Sequence, residues 1–64
     1  MATEMVGKSC KLLTEIRDRN NQSRPKNEEV VILKEVVNLE RLMYLCRFSD
    51  GVTTFLFPHE VELL

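Results

Sequence analysis

Glycine, histidine and cysteine are scarce in this 64-residue chain, and tryptophan is absent. The two glycines, Gly7 and Gly51, are too few for a glycine-rich loop that cradles phosphates. The single histidine is His59, and the two cysteines, Cys10 and Cys46, are too far apart in sequence for a Cys-x-x-Cys metal motif. A Cys46–His59 catalytic pair is disfavoured because Cys46 falls mid-strand on an inward face. We therefore predict no enzymatic activity, no cofactor and no metal site.

Two cysteines are also too few for a disulfide scaffold, so we expect both to be buried, reduced thiols. The sequence begins Met-Ala-Thr-Glu-Met-Val, without a basic region followed by an apolar run, so we expect no signal peptide. No stretch approaches the ~20 apolar residues that a membrane-spanning helix needs. These features favour a cytoplasmic protein.

The size of the chain fits one small domain, for which we predict residues 7–64, preceded by a disordered N-terminus at residues 1–6. A domain this small buries only about 60% of its unfolded surface, so its stability is marginal. Nine basic and ten acidic side chains give a net charge of −1. That balance argues mildly against nucleic-acid binding, since phosphate affinity comes largely from an excess of Lys and Arg.

The clearest structural signal lies in residues 44–57. Tyr44, Cys46 and Phe48 alternate with other residues before an Asp50-Gly51 pair, and a second alternating run follows with Thr53, Phe55 and Phe57 at every other position. Alternation on both sides of an Asp-Gly turn predicts a β-hairpin. Gly51 is expected to have positive φ in that turn.

Four more elements complete the predicted order. Residues 8–16 favour a strand, although a helix capped by Ser9 remains an alternative because the run is short. The β-branched segment 29–38 predicts a long strand, and a tight connection leads to the strand 41–49. After the strand 53–57, Pro58-His59-Glu60 predicts a 3₁₀ turn, and residues 61–64 predict a short last strand.

A polar segment between the first two strands carries a cluster of positive charge. Residues 18–27 contain no apolar side chain and read as an exposed loop. The segment contains the cations Arg19, Arg24 and Lys26, and Arg17 directly precedes it. Asp18 is the only acidic residue among them. These four side chains are candidates to bind an acidic protein partner or, alternatively, phosphates of RNA or DNA.

The order of elements resembles the SH3-like small barrels, in particular the Tudor and KOW branches. The most specific part is Tyr44-Leu-Cys-Arg-Phe-Ser-Asp-Gly51, and Phe57-Pro-His-Glu-Val-Glu-Leu63 is similar to the step through a 3₁₀ turn into the last strand. Several bacterial families of unknown function share this signature. The resemblance implies an all-β, five-stranded antiparallel barrel. A Tudor-type aromatic cage is disfavoured, because all four aromatic residues fall on the predicted core face.

Such a barrel would bury one set of side chains and leave another exposed. The predicted interior is Cys10, Leu12, Ile16, Val31, Leu33, Tyr44, Cys46, Phe48, Phe55, Phe57, Val61 and Leu63. The predicted exposed apolar face is Leu13, Ile32, Met43, Leu45 and Leu56. A large exposed apolar face marks an interaction site. We therefore predict a non-enzymatic protein–protein interaction module with a protein partner, and hypothesise a homodimer; the alternative is an RNA- or DNA-binding barrel that uses the basic loop.

Overall fold

The computed structural model describes residues 5–64, and this part of the chain is all-β. Its seven strands are β1 (Ser9–Leu12), β2 (Ile16–Arg17), β3 (Ser23–Arg24), β4 (Glu29–Asn38), β5 (Arg41–Phe48), β6 (Thr53–Leu56) and β7 (Val61–Leu63). One 3₁₀ helix, Pro58–Glu60, separates β6 from β7. No helix among residues 5–64 is long and apolar enough to cross a membrane.

Five of the strands form one antiparallel sheet in the order β6-β5-β4-β1-β7, with β6 and β7 at its edges. The remaining pair, β2 and β3, forms a two-stranded sheet of its own. The central hairpin of β4 and β5 supplies the longest ladder. The sheet is therefore open, whereas the resemblance implied a closed barrel. Turns join β4 to β5 and β5 to β6, the 3₁₀ helix joins β6 to β7, and β2 and β3 are inserted between β1 and β4.

From residue 29 onward the bounds of the predicted strands agree with the observed ones to within one residue. The first segment is a strand rather than the alternative helix, but it ends at Leu12 instead of residue 16. The predicted unstructured loop contains β3, which pairs back onto β2. Most of the predicted disordered terminus, residues 1–4, lies outside the described residues, and Met5 packs against the core.

A one-residue bulge in β4 decides which of its side chains are buried. The β4–β5 register shifts between Ile32 and Lys34, so that Leu33 lies between two successive ladder pairs. Successive side chains of a strand alternate between faces, and a shift of one residue exchanges the faces. Val30 and Ile32 consequently lie in the core. The predicted burial of Val31 and Leu33 was wrong.

The last two strands, β6 and β7, follow the predicted inward face only in part. In β6 the inward residues are Thr54 and Leu56, whereas Phe55, predicted to be buried, is 42% exposed. Phe57 and Ile16 are half-buried. In β7 the burial of Val61 is confirmed and that of Leu63 is wrong. The observed core is Cys10, Leu12, Val30, Ile32, Tyr44, Cys46, Phe48, Leu56 and Val61.

The tight connection between β4 and β5 uses an unfavourable sequence. Asn38 pairs with Arg41, so Leu39 and Glu40 form a two-residue hairpin turn, and their φ angles are +52° and +65°. Two positive φ angles define a type I′ turn, for which Asn-Gly is strongly preferred. Leu and Glu both carry a Cβ that disfavours this conformation. The side chain of Leu39 is also 88% exposed, so it gains little burial in return.

We expect the double substitution Leu39→Asn, Glu40→Gly to stabilise the fold by about 1–2 kcal/mol, because it removes the strain at both turn positions. Urea unfolding followed by circular dichroism measures the change. The matched control is Lys26→Asn, at an exposed loop position outside the β4–β5 turn. No gain in the unfolding midpoint for the turn variant would show that these φ angles are not strained.

The two cysteines are free and buried, on either side of β4. Burial raises the pKa of the Cys46 thiol to about 12 and raises that of Cys10 as well. Because the thiolate is the reactive form, both thiols are expected to react with a water-soluble maleimide far more slowly in the native protein than in denaturant. Equal labelling rates in the two conditions would contradict the burial.

Candidate protein-interaction surface

Arg24 occupies a buried position among three carboxylates. Its guanidinium is bound to Asp18 at 2.7 Å (Nε to Oδ2), to Glu28 at 3.0 Å (Nη1 to Oε2) and to Asp50 at 2.9 Å (Nη2 to Oδ2). It also lies over the ring of Phe48, 4.2 Å from the centroid. Only 8% of Arg24 is exposed. These contacts tie the β2–β3 sheet to the β5–β6 turn.

Asp18 fixes the loop that positions Arg24. Its Oδ1 accepts hydrogen bonds from the backbone N–H groups of Asn20 (2.9 Å) and Gln22 (3.0 Å). Its Oδ2 accepts a hydrogen bond from Nε of Arg24. The Gln22 N–H and Arg24 lower the pKa of Asp18. The Val52 N–H and Arg24 likewise lower the pKa of Asp50. Both carboxylates therefore stabilise the fold in their charged form.

The basic loop is consequently more ordered, and offers less charge to a partner, than the sequence indicates. Arg24 is held in the ion-pair cluster and is not an exposed cation, contrary to the prediction. Arg17 is exposed and donates from Nη1 to the backbone oxygen of Asn21 at 3.0 Å. Arg19 and Lys26 are exposed. Three of the four predicted cations remain accessible, on a loop whose fourth cation is structural.

The predicted apolar face is divided by the structure. Ile32 and Leu56 belong to the core, the latter with 2% exposure, and their assignment to an exposed face is wrong. Leu13 is partly exposed in the bend after β1. Met43 and Leu45 are half-buried in β5 and alternate with the core residues Tyr44 and Cys46. They therefore lie on the side of the sheet away from the core, as predicted.

The cross-strand pairs of β4, β5 and β6 define this second side. Directly opposed residues of an antiparallel pair point to the same face, so the partners of Met43, Leu45 and Arg47 lie there too. We call this surface the outer face: Val31, Lys34, Val36, Asn38, Arg41, Met43, Leu45, Arg47, Thr53 and Phe55. All ten are exposed or half-buried.

Apolar side chains form the middle of the outer face. Val36 is opposed to Met43, and Leu45 to Phe55, so four apolar side chains adjoin one another across three strands. We call these four residues the apolar strip. Sequence reasoning found Met43 and Leu45 but missed Val36 and Phe55. The outward position of Val36 follows from the two-residue turn at Leu39–Glu40, which places Val36 opposite Met43, and that of Phe55 follows from the length of the β5–β6 turn. Alternation alone reveals neither.

Two concavities lie near the ends of the outer face. One, of about 420 Å³, is lined by Val31, Arg47 and the turn Ser49–Gly51 among others. The second, of about 400 Å³, is lined by Arg41, Leu42, Phe57, Pro58 and His59. They lie near opposite ends of β5, because Arg41 begins this strand and Arg47 is its penultimate residue.

The second concavity has aromatic walls. The rings of Phe57 and His59 are stacked, with centroids 5.7 Å apart and planes 9° from parallel. The guanidinium of Arg41 lies 5.6 Å from the centroid of Phe57. Pro58 at the start of the 3₁₀ helix and the bond from Phe57 N–H to Glu60 Oε1, 2.9 Å, fix this arrangement.

No family model, curated protein or solved structure matches this chain. The function of the outer face is therefore inferred from its own contacts and charges. His59 is exposed and Cys46 is fully buried, so the two side chains do not share an accessible site. Residues 5–64 contain no group of three or more His, Cys, Asp or Glu that could hold a metal ion.

Proposed function

We propose that this protein is a cytosolic, non-enzymatic protein–protein interaction module that binds its partner through the outer face. The observation that carries the proposal is the apolar strip, in which the pairs Val36–Met43 and Leu45–Phe55 lie side by side on the solvent side of the sheet. Phe55 is exposed and the other three side chains are half-buried, so the strip is a contiguous, partly exposed apolar patch, and such patches mark interaction sites. Two buried, free thiols accord with a reducing compartment.

We also propose that the fold belongs to the SH3-like class. The order β6-β5-β4-β1-β7, the insertion of β2 and β3 after the first strand, and the 3₁₀ helix before the last strand support this assignment. In such a fold the outer face of the central strands is free of other elements, because the core is on the opposite side. A fold class does not by itself specify an activity.

Nucleic-acid binding through the basic loop has less support. Arg24 neutralises three carboxylates within the fold. Salt-dependent affinity for phosphates grows with the number of cations that contact them. Three exposed cations on the loop and a net charge of −1 leave little driving force for phosphate binding.

Two adjacent valines provide a matched test of the proposed surface. Val36 lies on the outer face, whereas its neighbour Val37 points to the opposite side of the β4–β5 hairpin and is 71% exposed. Val36→Glu and Val37→Glu make the same chemical change at neighbouring positions. We expect Val36→Glu to abolish capture of partner proteins from an extract of the native organism and Val37→Glu to retain it. Nuclease treatment of the extract separates protein partners from nucleic acid.

Sedimentation equilibrium of the purified protein tests the homodimer hypothesis in the same variants. A dimer that Val36→Glu dissociates would identify the partner as a second copy bound through the outer face. Equal capture by both valine variants, with neither altering sedimentation, would contradict the proposed surface.

A further inference from the structure

We propose that the partner of the outer face is an extended, acidic and apolar peptide segment, with apolar side chains on the strip and carboxylates at both ends. This inference rests on the proposed function and specifies the chemistry of the partner. It arises from the charged residues that border the apolar strip, none of which sequence reasoning had singled out.

Three cations border the strip. Arg41 and Arg47 lie at the two ends of the outward-facing row of β5, which reads Arg41, Met43, Leu45, Arg47, and Lys34 is opposed to Leu45 on β4. All three are exposed, and the described residues contain no ion pair to any of them. The ten residues of the outer face include no carboxylate. The outer face therefore carries positive charge on a protein that is slightly negative overall.

The neighbouring carboxylates do not neutralise these cations. Asp50, beside Arg47 in the larger concavity, holds the buried Arg24. Glu29 also lines that concavity, but it lies opposite Lys11 in the β1–β4 ladder, and residues 5–64 contain no ion pair between Glu29 and Arg47. Glu35 is opposed to the core residue Tyr44 and so lies on the inner side of the sheet. The uncompensated charge of the outer face is available to a partner.

Charge complementarity selects the occupant. A second copy bound face to face would bring Lys34, Arg41 and Arg47 against the same three cations, and like charges across an interface are costly. A nucleic acid would meet those charges, but bases stack on aromatic rings. The strip offers one ring, Phe55, and three aliphatic side chains. Aliphatic side chains together with cations fit a segment that carries both apolar and acidic residues.

The spacing sets the length and shape of the segment. Arg41 and Arg47 are six residues apart in one strand, which corresponds to about 20 Å at ~3.4 Å per residue. An extended peptide of about seven residues spans the same distance and presents alternate side chains to one side. Each terminal cation also lies in the wall of a concavity, Arg47 in that of 420 Å³ and Arg41 in that of 400 Å³. These concavities can receive the ends of the segment.

Fluorescence polarisation with a defined probe tests the inference. The probe is a fluorescein-labelled heptapeptide, Glu-Thr-Leu-Thr-Phe-Thr-Glu, whose two apolar residues and two terminal glutamates alternate with threonine and therefore share one face, with the glutamates six residues apart. We expect saturable binding that weakens between about 0.1 M and about 1 M salt, where the Debye length falls from ~10 to ~3 Å. The double charge reversal Lys34→Glu, Arg47→Glu should weaken binding of the probe by about tenfold or more, since it replaces two attractive contacts by repulsive ones.

The matched control removes the same charge from another surface. Arg19→Glu, Lys26→Glu changes the net charge equally, at two exposed positions of the basic loop, and should leave the affinity within about twofold. Circular dichroism verifies that both double variants fold. A version of the probe with Lys in place of every Glu should not bind.

Three outcomes would overturn the inference. They are equal weakening by the two double variants, tighter binding of an oligothymidine than of the acidic probe, and a homodimer dissociated by Val36→Glu. The proposed function is tested separately, by the capture experiment with the two valine variants. If Val36→Glu abolishes protein capture while the acidic probe does not bind, the outer face is an interaction surface and only the partner chemistry is wrong.

Discussion

Replacing Arg24 with methionine is expected to lower the melting temperature by about 10 °C or more, despite the position of Arg24 in a polar loop. Methionine can retain packing on Phe48, but it leaves Asp18, Glu28 and Asp50 without their common cation. Removing one partner of a buried ion pair is strongly destabilising because the remaining charge is buried and unpaired. Thermal unfolding followed by circular dichroism at neutral pH measures the loss.

The matched control is Arg19→Met. Arg19 belongs to the same loop and is exposed, so its replacement should change the melting temperature by no more than about 2–3 °C. If Arg19→Met and Arg24→Met have the same melting temperature, the cluster around Arg24 does not hold the β2–β3 sheet in place.

The effect of Arg24 should depend on pH in a defined direction. Asp18 and Asp50 have folded-state pKa values below their unfolded values, so the stability they contribute is present above about pH 4, the unfolded pKa of an aspartate. That stability is lost as the pH falls through the lowered pKa values. The gap in melting temperature between wild type and Arg24→Met should therefore be widest above about pH 4 and narrow toward pH 2. A constant gap would show that charge pairing is not its cause.

Truncating Phe48 to alanine should leave the protein largely unfolded. Phe48 is 1% exposed and is the largest of the fully buried side chains. Phenylalanine-to-alanine changes in a core cost about 3–5 kcal/mol, and a domain of this size has a total stability of only ~3–10 kcal/mol. We expect urea unfolding of Phe48→Ala to begin without a folded baseline. One-dimensional proton NMR would show the loss of dispersed methyl and amide signals.

The Phe48→Leu variant distinguishes the contribution of the aromatic ring to stability from that of the side-chain volume. Leucine fills most of the site but removes the aromatic face under the Arg24 guanidinium, 4.2 Å away, so we expect a smaller loss of about 1–2 kcal/mol. A folded Phe48→Ala variant as stable as Phe48→Leu would show that the interior can collapse around the cavity. That result would contradict the close packing that the burial indicates.

Much of the fold could be predicted because local signals agree with one another. In β5 the alternation of Tyr44, Cys46 and Phe48 identified the buried side correctly, since a strand with one buried face has period two. The Asp50-Gly51 turn was also correct, and Gly51 has a φ of +93°. The 3₁₀ helix after Phe57 followed from Pro58. Each of these depends on neighbours within a few residues.

The faces of β4 and β6 were predicted incorrectly, because their register depends on distant pairing. With the turn at Leu39–Glu40 and no bulge, Leu33 would be opposed to Cys46 and would face the core, as predicted. The bulge at Leu33 places Ile32 opposite Cys46 instead. Beyond the β5–β6 turn, Thr54 is the partner of Cys46, which turns Phe55 outward. Alternation divides the residues of a strand into two sets that face opposite sides. Only the pairing of the strand with its neighbours decides which set faces the core.

By itself, the sequence determined the all-β class, the order along the chain of the five strands in the main sheet, the central hairpin and the direction in which Met43 and Leu45 point. Only the tertiary structure decided that Arg24 is buried among carboxylates while Lys34, Arg41 and Arg47 surround the apolar strip. The physical reason is that turns and alternating strands are set by interactions between near neighbours. Burial of an ion and the composition of a surface depend on residues far apart in the chain, and these are brought together only when the sheet has formed.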